Sequence, residues 1–105
     1  MSVTSEVSIV IPAYNEEEGI SSVLAELTQV MQASDLKHEF IVVDDGSLDS
    51  TATLAEETDA QVLRHTSNRG YGAALKTGIR HASYSLICII DADGTYPIEQ
   101  IPQLV

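Results

Sequence analysis

Two aspartates, Asp91 and Asp93, follow an apolar segment at residues 86–90 that is rich in isoleucine. Such a segment is typical of a strand buried on both faces inside a parallel sheet. Side chains two apart on extended chain project to the same side, so both carboxylates are expected to converge on one divalent cation. Ala92 and Gly94 leave room for a ligand. The pattern indicates a metal-diphosphate site, and the alternative is a simple Asp-Gly turn that ends a strand.

Polar side chains follow three other short apolar segments in the same way. The segment at 7–11 is predicted to be a strand that Pro12 stops, because proline has no N–H to continue a ladder. The segments at 40–43 and 61–65 are predicted to be the second and third strands. The residues that follow the three strands include Pro12, Ala13, Tyr14 and Glu16, then Asp44 and Asp45, then Arg69 and Gly70.

Helical spacing predicts a helix after each of these strands. Residues 20–31 carry one apolar stripe, and Asn15 is predicted to cap this helix with Glu18 in the capping-box position. Asp49 or Ser50 is predicted to cap a short second helix. The third helix, within residues 73–82, presents alanine and glycine on a face that can lie close to a sheet.

The alternation of strands and helices predicts a single α/β domain with a Rossmann-like open parallel sheet and helices on both faces. Such sheets bind ligands beyond the carboxyl ends of their strands, where the strand order reverses. The polar residues described above all follow strands. We therefore expect them to collect at one edge of the sheet, which carboxylates placed only for solubility would have no reason to do.

Composition excludes several classes of protein. The net charge is −11, from 16 acidic and 5 basic residues, which argues against a nucleic-acid partner because phosphates need a basic patch. Cys88 is the only cysteine, so an intrachain disulfide or cysteine metal cluster is impossible, consistent with a reducing, cytoplasmic location. The start of the chain lacks the pattern of a signal peptide, and no apolar run approaches the ~20 residues of a membrane span.

Four segments of the chain resemble those of family-2 glycosyltransferases. They are VSIVIPAYNEE at 7–17, IVVDDGSLDST at 41–51, NRGYGAALKTG at 68–78 and IDADG at 90–94. The resemblance is strongest to the branch that transfers a sugar from a nucleotide to a polyprenyl or dolichyl phosphate, as in dolichol-phosphate mannosyltransferases. Each segment is moderately specific, but the four occur in the family's order and spacing.

The resemblance implies that residues 1–105 are the N-terminal, nucleotide-sugar-binding part of a glycosyltransferase catalytic domain, without the acceptor half. It implies inverting, metal-dependent transfer from a GDP- or UDP-hexose to a lipid phosphate, at the cytoplasmic face of a membrane that other segments would contact. The metal motif implies Mg²⁺ or Mn²⁺ at Asp91 and Asp93. The implied substrate-binding residues are Pro12, Ala13, Tyr14 and Glu16 in the nucleotide pocket, Asp45 with Asp44 beside it at the base, and Arg69, Asp91 and Ala92 at the diphosphate.

Two features depart from the family pattern. Residues 94–97 read Gly-Thr-Tyr-Pro, where the lipid-phosphate branch often has leucine followed by glutamine or serine. The sequence also contains no motif that identifies a catalytic base. The three histidines, His38, His65 and His81, lie outside the motifs, and we expect surface or packing roles for them. A lipid phosphate is already ionised and needs no base, whereas a hydroxyl acceptor would need one.

Two other functions remain open from the residues alone. In a haloacid-dehalogenase-like phosphatase, Asp91 would be the nucleophile and Asp93 the general acid and base, but segments 12–17 and 44–51 would then be unexplained. The second alternative function is a nucleotide-binding module without catalytic activity. This is the function that we expect of these 105 residues taken alone. An exposed sheet edge would favour homo-oligomers.

Overall fold

A computed structural model describes residues 5–105 and contains four parallel strands in the order β3-β2-β1-β4. The chain moves outward from β1 to β3 and then returns to the other side of β1, so the strand order reverses between β1 and β4. The prediction of a Rossmann-like α/β fold is confirmed. The elements are β1 (Glu6–Ala13), α1 (Ile20–Gln32), β2 (Lys37–Asp44), α2 (Thr51–Glu56), β3 (Gln61–Arg64), α3 (Tyr71–His81), β4 (Leu86–Ile89), a 3₁₀ turn (Ile98–Gln100) and α4 (Ile101–Leu104).

Helices cover both faces of the sheet. The predicted apolar stripe of α1 is buried and packs, together with α2, against one face through residues such as Ile9, Ile11 and Val42. On the other face, Ala74 of α3 packs against Val10 and its neighbours in β2. Because α3 carries small residues there, its backbone lies close to the strands, as the sequence predicts.

Pro12 does not stop β1, which continues to Ala13, so that part of the prediction is wrong. The Val10 carbonyl points toward β4, because it accepts a hydrogen bond from the Ile90 N–H at 3.0 Å. The Ala13 carbonyl points toward β2, because it accepts a hydrogen bond from the Asp45 N–H at 2.9 Å. Alternation places Pro12 on the β4 side, beyond the last β4 pair. Its missing N–H therefore breaks no ladder bond.

Strand β4 is not buried on both faces, contrary to the prediction. Within residues 5–105 it pairs with β1 alone, and Leu86 and Ile89 are 44% and 37% exposed. Apolar composition predicts a strand but does not distinguish a central strand from an edge strand. Self-association through this edge stays a prediction.

The predicted capping box of α1 is also absent. The helix begins at Ile20 after Gly19, with no side-chain cap, and Asn15 lies outside it in a left-handed conformation with φ of 53°. The Asn15 Oδ1 atom accepts instead from the Leu48 N–H at 2.9 Å. None of the helices in the described residues is both long and apolar enough to cross a membrane.

Candidate nucleotide-sugar site

A cavity of about 400 Å³ lies at the carboxyl ends of β1, β2 and β4, beside the first turn of α3. It occupies the point where the strand order reverses, which is where open α/β sheets bind ligands. Its lining comes from four separate parts of the chain: Pro12, Ala13, Tyr14 and Glu16; Asp45; Asn68, Gly70, Tyr71 and Ala74; and Asp91, Ala92 and Asp93.

The structure brings most of the predicted site residues to this one cavity and leaves two outside its lining. Asp44 is buried at the end of β2, and its Oδ1 atom has no hydrogen-bond partner in the part of the chain that the structure describes. Arg69 is exposed. Its backbone N–H, rather than its guanidinium, makes the recorded contact, donating to Asp45 Oδ1 at 2.9 Å.

The two carboxylates of the predicted metal motif both line the cavity, but not through extended chain. Ala92 and Asp93 form a turn, so the expected alternation of side chains along a strand does not apply. Asp91 Oδ1 accepts from the Tyr71 hydroxyl at 3.3 Å. Asp93 Oδ1 accepts from the hydroxyl and N–H of Thr95 at 2.7 and 3.0 Å, and these hydrogen bonds hold the pKa of Asp93 below its ordinary value.

Glu16 adds a third acidic side chain to the cavity lining. It is half-buried, and its pKa is raised by burial and by the negative charges of Asp93, Asp49 and Asp91. This part of the cavity is therefore strongly negative, and it would attract a cation.

The donor set fits a divalent cation that arrives with a ligand. Carboxylate oxygens are the ligands that Mg²⁺ and Mn²⁺ prefer. Over residues 5–105, however, no group of three or more His, Cys, Asp or Glu side chains is placed to hold a metal ion. A cation at Asp91 and Asp93 would need further oxygen ligands from water or phosphate, which is how Mg²⁺ usually binds.

The β2 side of the cavity is organised around the Asp45 carboxylate, which is almost fully buried. Its Oδ1 atom lies 2.8 Å from His65 Nδ1 and 2.9 Å from the Arg69 N, and its Oδ2 atom lies 2.9 Å from the Gly70 N. Burial raises the pKa of Asp45, but the hydrogen bonds from His65, Arg69 and Gly70 outweigh it and hold the pKa below its ordinary value. Asp45 is therefore an ionised acceptor that fixes the loop before α3.

The loops after β1 and β2 are joined by hydrogen bonds that the sequence did not reveal. The Asn15 N–H donates to Ser47 Oγ at 2.8 Å, and Asn15 Oδ1 accepts from the Leu48 N–H. The Glu16 N–H donates to Thr51 Oγ1 at 2.8 Å. These bonds fix the backbone that carries Glu16 into the cavity.

Five residues of the site had no predicted binding role: His65, Asn68, Gly70, Tyr71 and Ala74. Of these, Gly70 alone was expected to lie at this edge of the sheet. All but Ala74 lie between the end of β3 and the first residue of α3. This position in the chain could have predicted that they lie at the same edge of the sheet as the predicted residues. Ala74 lies in the first turn of α3, and its N–H donates to the carbonyl of Gly70, the N-cap residue, at 3.1 Å. The expected surface or packing role for His65 did not take into account that this residue directly follows β3.

The parallel sheet, its reversal of strand order and the cavity there define an open α/β domain that is built to bind a ligand at the carboxyl edge of its strands. The chain belongs to glycosyl transferase family 2, whose family model matches residues 8–105. That match includes segments 12–17 and 44–51, which the phosphatase alternative left unexplained.

Curated proteins with similar sequences are longer than this chain and are named as sugar transferases. The chain is 39% identical over 106 aligned positions to undecaprenyl-phosphate 4-deoxy-4-formamido-L-arabinose transferase of Salmonella choleraesuis, covering 95% of this chain and 32% of that protein. The chain thus spans about a third of the length of the curated relatives that it matches.

Solved structures share the fold. Mannosyl-3-phosphoglycerate synthase from Rubrobacter xylanophilus superposes with a TM-score of 0.77 and 26% identity, over 85% of this chain and 31% of that one. Glucosyl-3-phosphoglycerate synthase from Mycobacterium tuberculosis, crystallised with Mn²⁺, uridine diphosphate and phosphoglyceric acid, superposes with a TM-score of 0.73 and 30% identity, over 84% and 33%.

Proposed function

We propose that this chain is the donor-binding part of a metal-dependent, inverting glycosyltransferase. The donor would be a nucleotide-diphosphate hexose, with UDP or GDP as the nucleotide, and the acceptor a polyprenyl or dolichyl phosphate. The observation that carries the proposal is that one cavity at the switch point joins the buried Asp45 carboxylate to the Asp91 and Asp93 pair.

The two ends of the cavity suit the two ends of a nucleotide diphosphate. Within residues 5–105, Asp45 Oδ2 accepts one hydrogen bond, from Gly70, so it retains a lone pair that can accept from an N–H of uracil or guanine. Tyr14, 43% exposed at the cavity, offers a ring on which a base can stack. The diphosphate would then lie toward Asp91 and Asp93.

The charge of the cavity supports metal dependence. Its lining residues include Glu16, Asp45, Asp91 and Asp93 but neither lysine nor arginine. A diphosphate would therefore meet like charges unless a cation came with it. Mg²⁺ or Mn²⁺ at Asp91 and Asp93 would neutralise charge that develops on the leaving diphosphate as the sugar is displaced. Arg69, exposed on the adjoining loop, would add a positive contact to the diphosphate.

The relatives support the donor and acceptor classes. A structural neighbour was crystallised with Mn²⁺ and UDP, and a curated relative is named for transfer involving undecaprenyl phosphate. A lipid phosphate is ionised at neutral pH, so this acceptor requires no general base. We place the full-length enzyme at the cytoplasmic face of a membrane. Because the chain spans about a third of its relatives, we expect it to bind nucleotide without transferring sugar.

Calorimetric titration of UDP and GDP, each with and without Mn²⁺, tests the proposal on the purified chain. Asp93→Asn removes one carboxylate charge from the cavity. Asp35→Asn makes the same change at an exposed site before β2, at the opposite edge of the sheet, and serves as the matched control. We expect Mn²⁺-dependent binding of one nucleotide that is lost in Asp93→Asn and kept in Asp35→Asn.

Two results would contradict the proposal. A nucleotide affinity that is the same with and without Mn²⁺, or that is unchanged in Asp93→Asn, would show that the carboxylate pair does not hold a metal ion needed for binding. Sugar transfer by the purified chain to a polyprenyl phosphate would show that these residues already contain an acceptor site, contrary to the donor-binding assignment.

A further inference from the structure

His65 lies buried between two elements of the cavity wall. It directly follows β3, and its side chain is 5% exposed. One ring nitrogen, Nδ1, lies 2.8 Å from Asp45 Oδ1, and the other, Nε2, lies 2.8 Å from the Thr77 hydroxyl on α3. Both nitrogens of a buried imidazole are thus engaged, one by the pocket carboxylate and the other by the helix that borders the pocket.

The direction of the Asp45 hydrogen bond follows from the chemistry of its partner. The pKa of Asp45 is held below its ordinary value, so near neutral pH its carboxylate only accepts hydrogen bonds. Nδ1 of His65 therefore carries the proton and donates it toward Asp45. Nε2 lies within hydrogen-bond distance of the Thr77 hydroxyl, at 2.8 Å, which completes the hydrogen bonding of the imidazole.

The contact between His65 and Asp45 fixes the orientation of the Asp45 carboxylate relative to the loop before α3. The same oxygen that faces His65 also accepts from the Arg69 N–H, and the other oxygen accepts from the Gly70 N–H. A rotation of the carboxylate away from His65 would break these loop bonds together. The loop has little freedom on its other side, because the backbone of Ser67 and Asn68 lies against Gly46.

We propose that His65 is a positioning residue for nucleotide binding. It acts through Asp45: its Nδ1–H orients the carboxylate so that Oδ2 faces the cavity and the loop leading to Gly70 keeps its place in the wall. His65 is not among the residues that line the cavity, so it would act on a bound nucleotide only through Asp45. The proposal deepens, and rests on, the nucleotide-binding function proposed above.

Two substitutions separate the two ends of the imidazole. His65→Asn keeps an N–H donor near the position of Nδ1 and loses the Thr77 partner, whereas His65→Gln places its amide near Nε2 and loses the donor to Asp45. Thr77→Val removes the Nε2 partner while leaving His65 in place, and it serves as the control for lost stability without loss of the Asp45 contact.

The first readout is the Kd of UDP or GDP, whichever the unmodified chain binds with Mn²⁺, measured by calorimetry on the four proteins. We expect His65→Gln to weaken binding about tenfold, as loss of a hydrogen bond to a charged group predicts. We expect His65→Asn and Thr77→Val to stay within about threefold of the unmodified chain, even where their stability falls. Equal Kd values for His65→Asn and His65→Gln, or a weaker His65→Asn, would overturn the proposal.

The second readout needs no ligand and separates this proposal from the function on which it rests. Hydrogen exchange of the Arg69 and Gly70 amides reports directly on their bonds to Asp45. We expect exchange about tenfold faster in His65→Gln than in His65→Asn, and equal rates would overturn the positioning role. If the unmodified chain binds neither UDP nor GDP in the presence of Mn²⁺, the proposed function fails and this comparison alone decides. If His65→Gln does not fold, native exchange rates in His65→Asn support the role and faster rates overturn it.

Discussion

Replacing Gly46 with alanine would perturb a close approach between the β2–α2 loop and the loop before α3. Gly46 has a φ of +76°, and a Cβ built there would lie 2.5 Å from the Ser67 carbonyl carbon and 2.6 Å from the Asn68 N. Ordinary contact begins near 3.4 Å, so the 67–68 backbone would have to retreat by roughly 1 Å. That backbone leads directly into the loop held by Asp45.

The expected cost has two parts. A left-handed conformation costs a non-glycine residue about 1–2 kcal/mol, and overpacking against backbone adds about 1–3 kcal/mol. Gly94 provides the control, since its φ is +77° but the nearest atom to an added Cβ is Val23 Cγ2 at 3.8 Å. We therefore expect Gly46→Ala to lower the free energy of unfolding by about 3 kcal/mol and Gly94→Ala by about 1 kcal/mol.

Urea denaturation followed by far-ultraviolet circular dichroism measures both variants on the same scale. The difference between them isolates the steric part, because the two glycines share almost the same φ. If Gly46→Ala proved no less stable than Gly94→Ala, the close approach of the two loops would not be what requires glycine at position 46. Faster hydrogen exchange at Arg69 in Gly46→Ala would independently show that the loop has moved.

Two further predictions concern stability away from the cavity. Gly78→Ala should destabilise the chain by about 1–2 kcal/mol despite the better helix propensity of alanine, because the added Cβ would lie 2.4 Å from Val10 Cγ1; urea denaturation would show it, and a stabilised variant would contradict the close packing of α3. Burial raises the pKa of Glu39, but hydrogen bonds from Ser8 and Ser83 outweigh it and lower the pKa below 4.5. The stability from these bonds is present above pH 4.5 and is lost as the pH falls through the lower, folded-state pKa. The stability difference between the unmodified chain and Glu39→Gln should therefore be about 1–2 kcal/mol at pH 7 and shrink toward pH 3, and a pH-independent difference would refute this.

The features that the sequence predicted well depend on short-range patterns. Short apolar segments alternate with segments whose apolar residues recur at helical spacing, and this alternation predicts the order of strands and helices. The parallel arrangement of the strands follows from that order. Parallel strands bring their carboxyl ends to one edge, so the sequence alone predicts that Asp45, Asp91 and Asp93 lie together. Family resemblance added the roles, which remain proposals.

The features that the sequence did not predict depend on contacts between distant segments. Asn15 has a local spacing to Glu18 that suits a capping box, but its actual partners, Ser47 and Leu48, lie more than 30 residues away. The burial of β4 depended on its place at the sheet edge rather than on its composition. His65 gained its role only because folding brings Asp45 and Thr77 to its two nitrogens.

The strand order also has a consequence for how the molecule folds. Within residues 5–105, β1 pairs with β4, which lies far from it in sequence, with Val7 opposite Leu86. Closing so long a stretch of chain is slow compared with forming the local β1-α1-β2 unit. The carboxylates at Asp91 and Asp93 follow β4 and reach the cavity only once this pairing exists. Asp45, at the end of β2, can thus be placed early, whereas the complete cavity forms only after β4 has paired with β1.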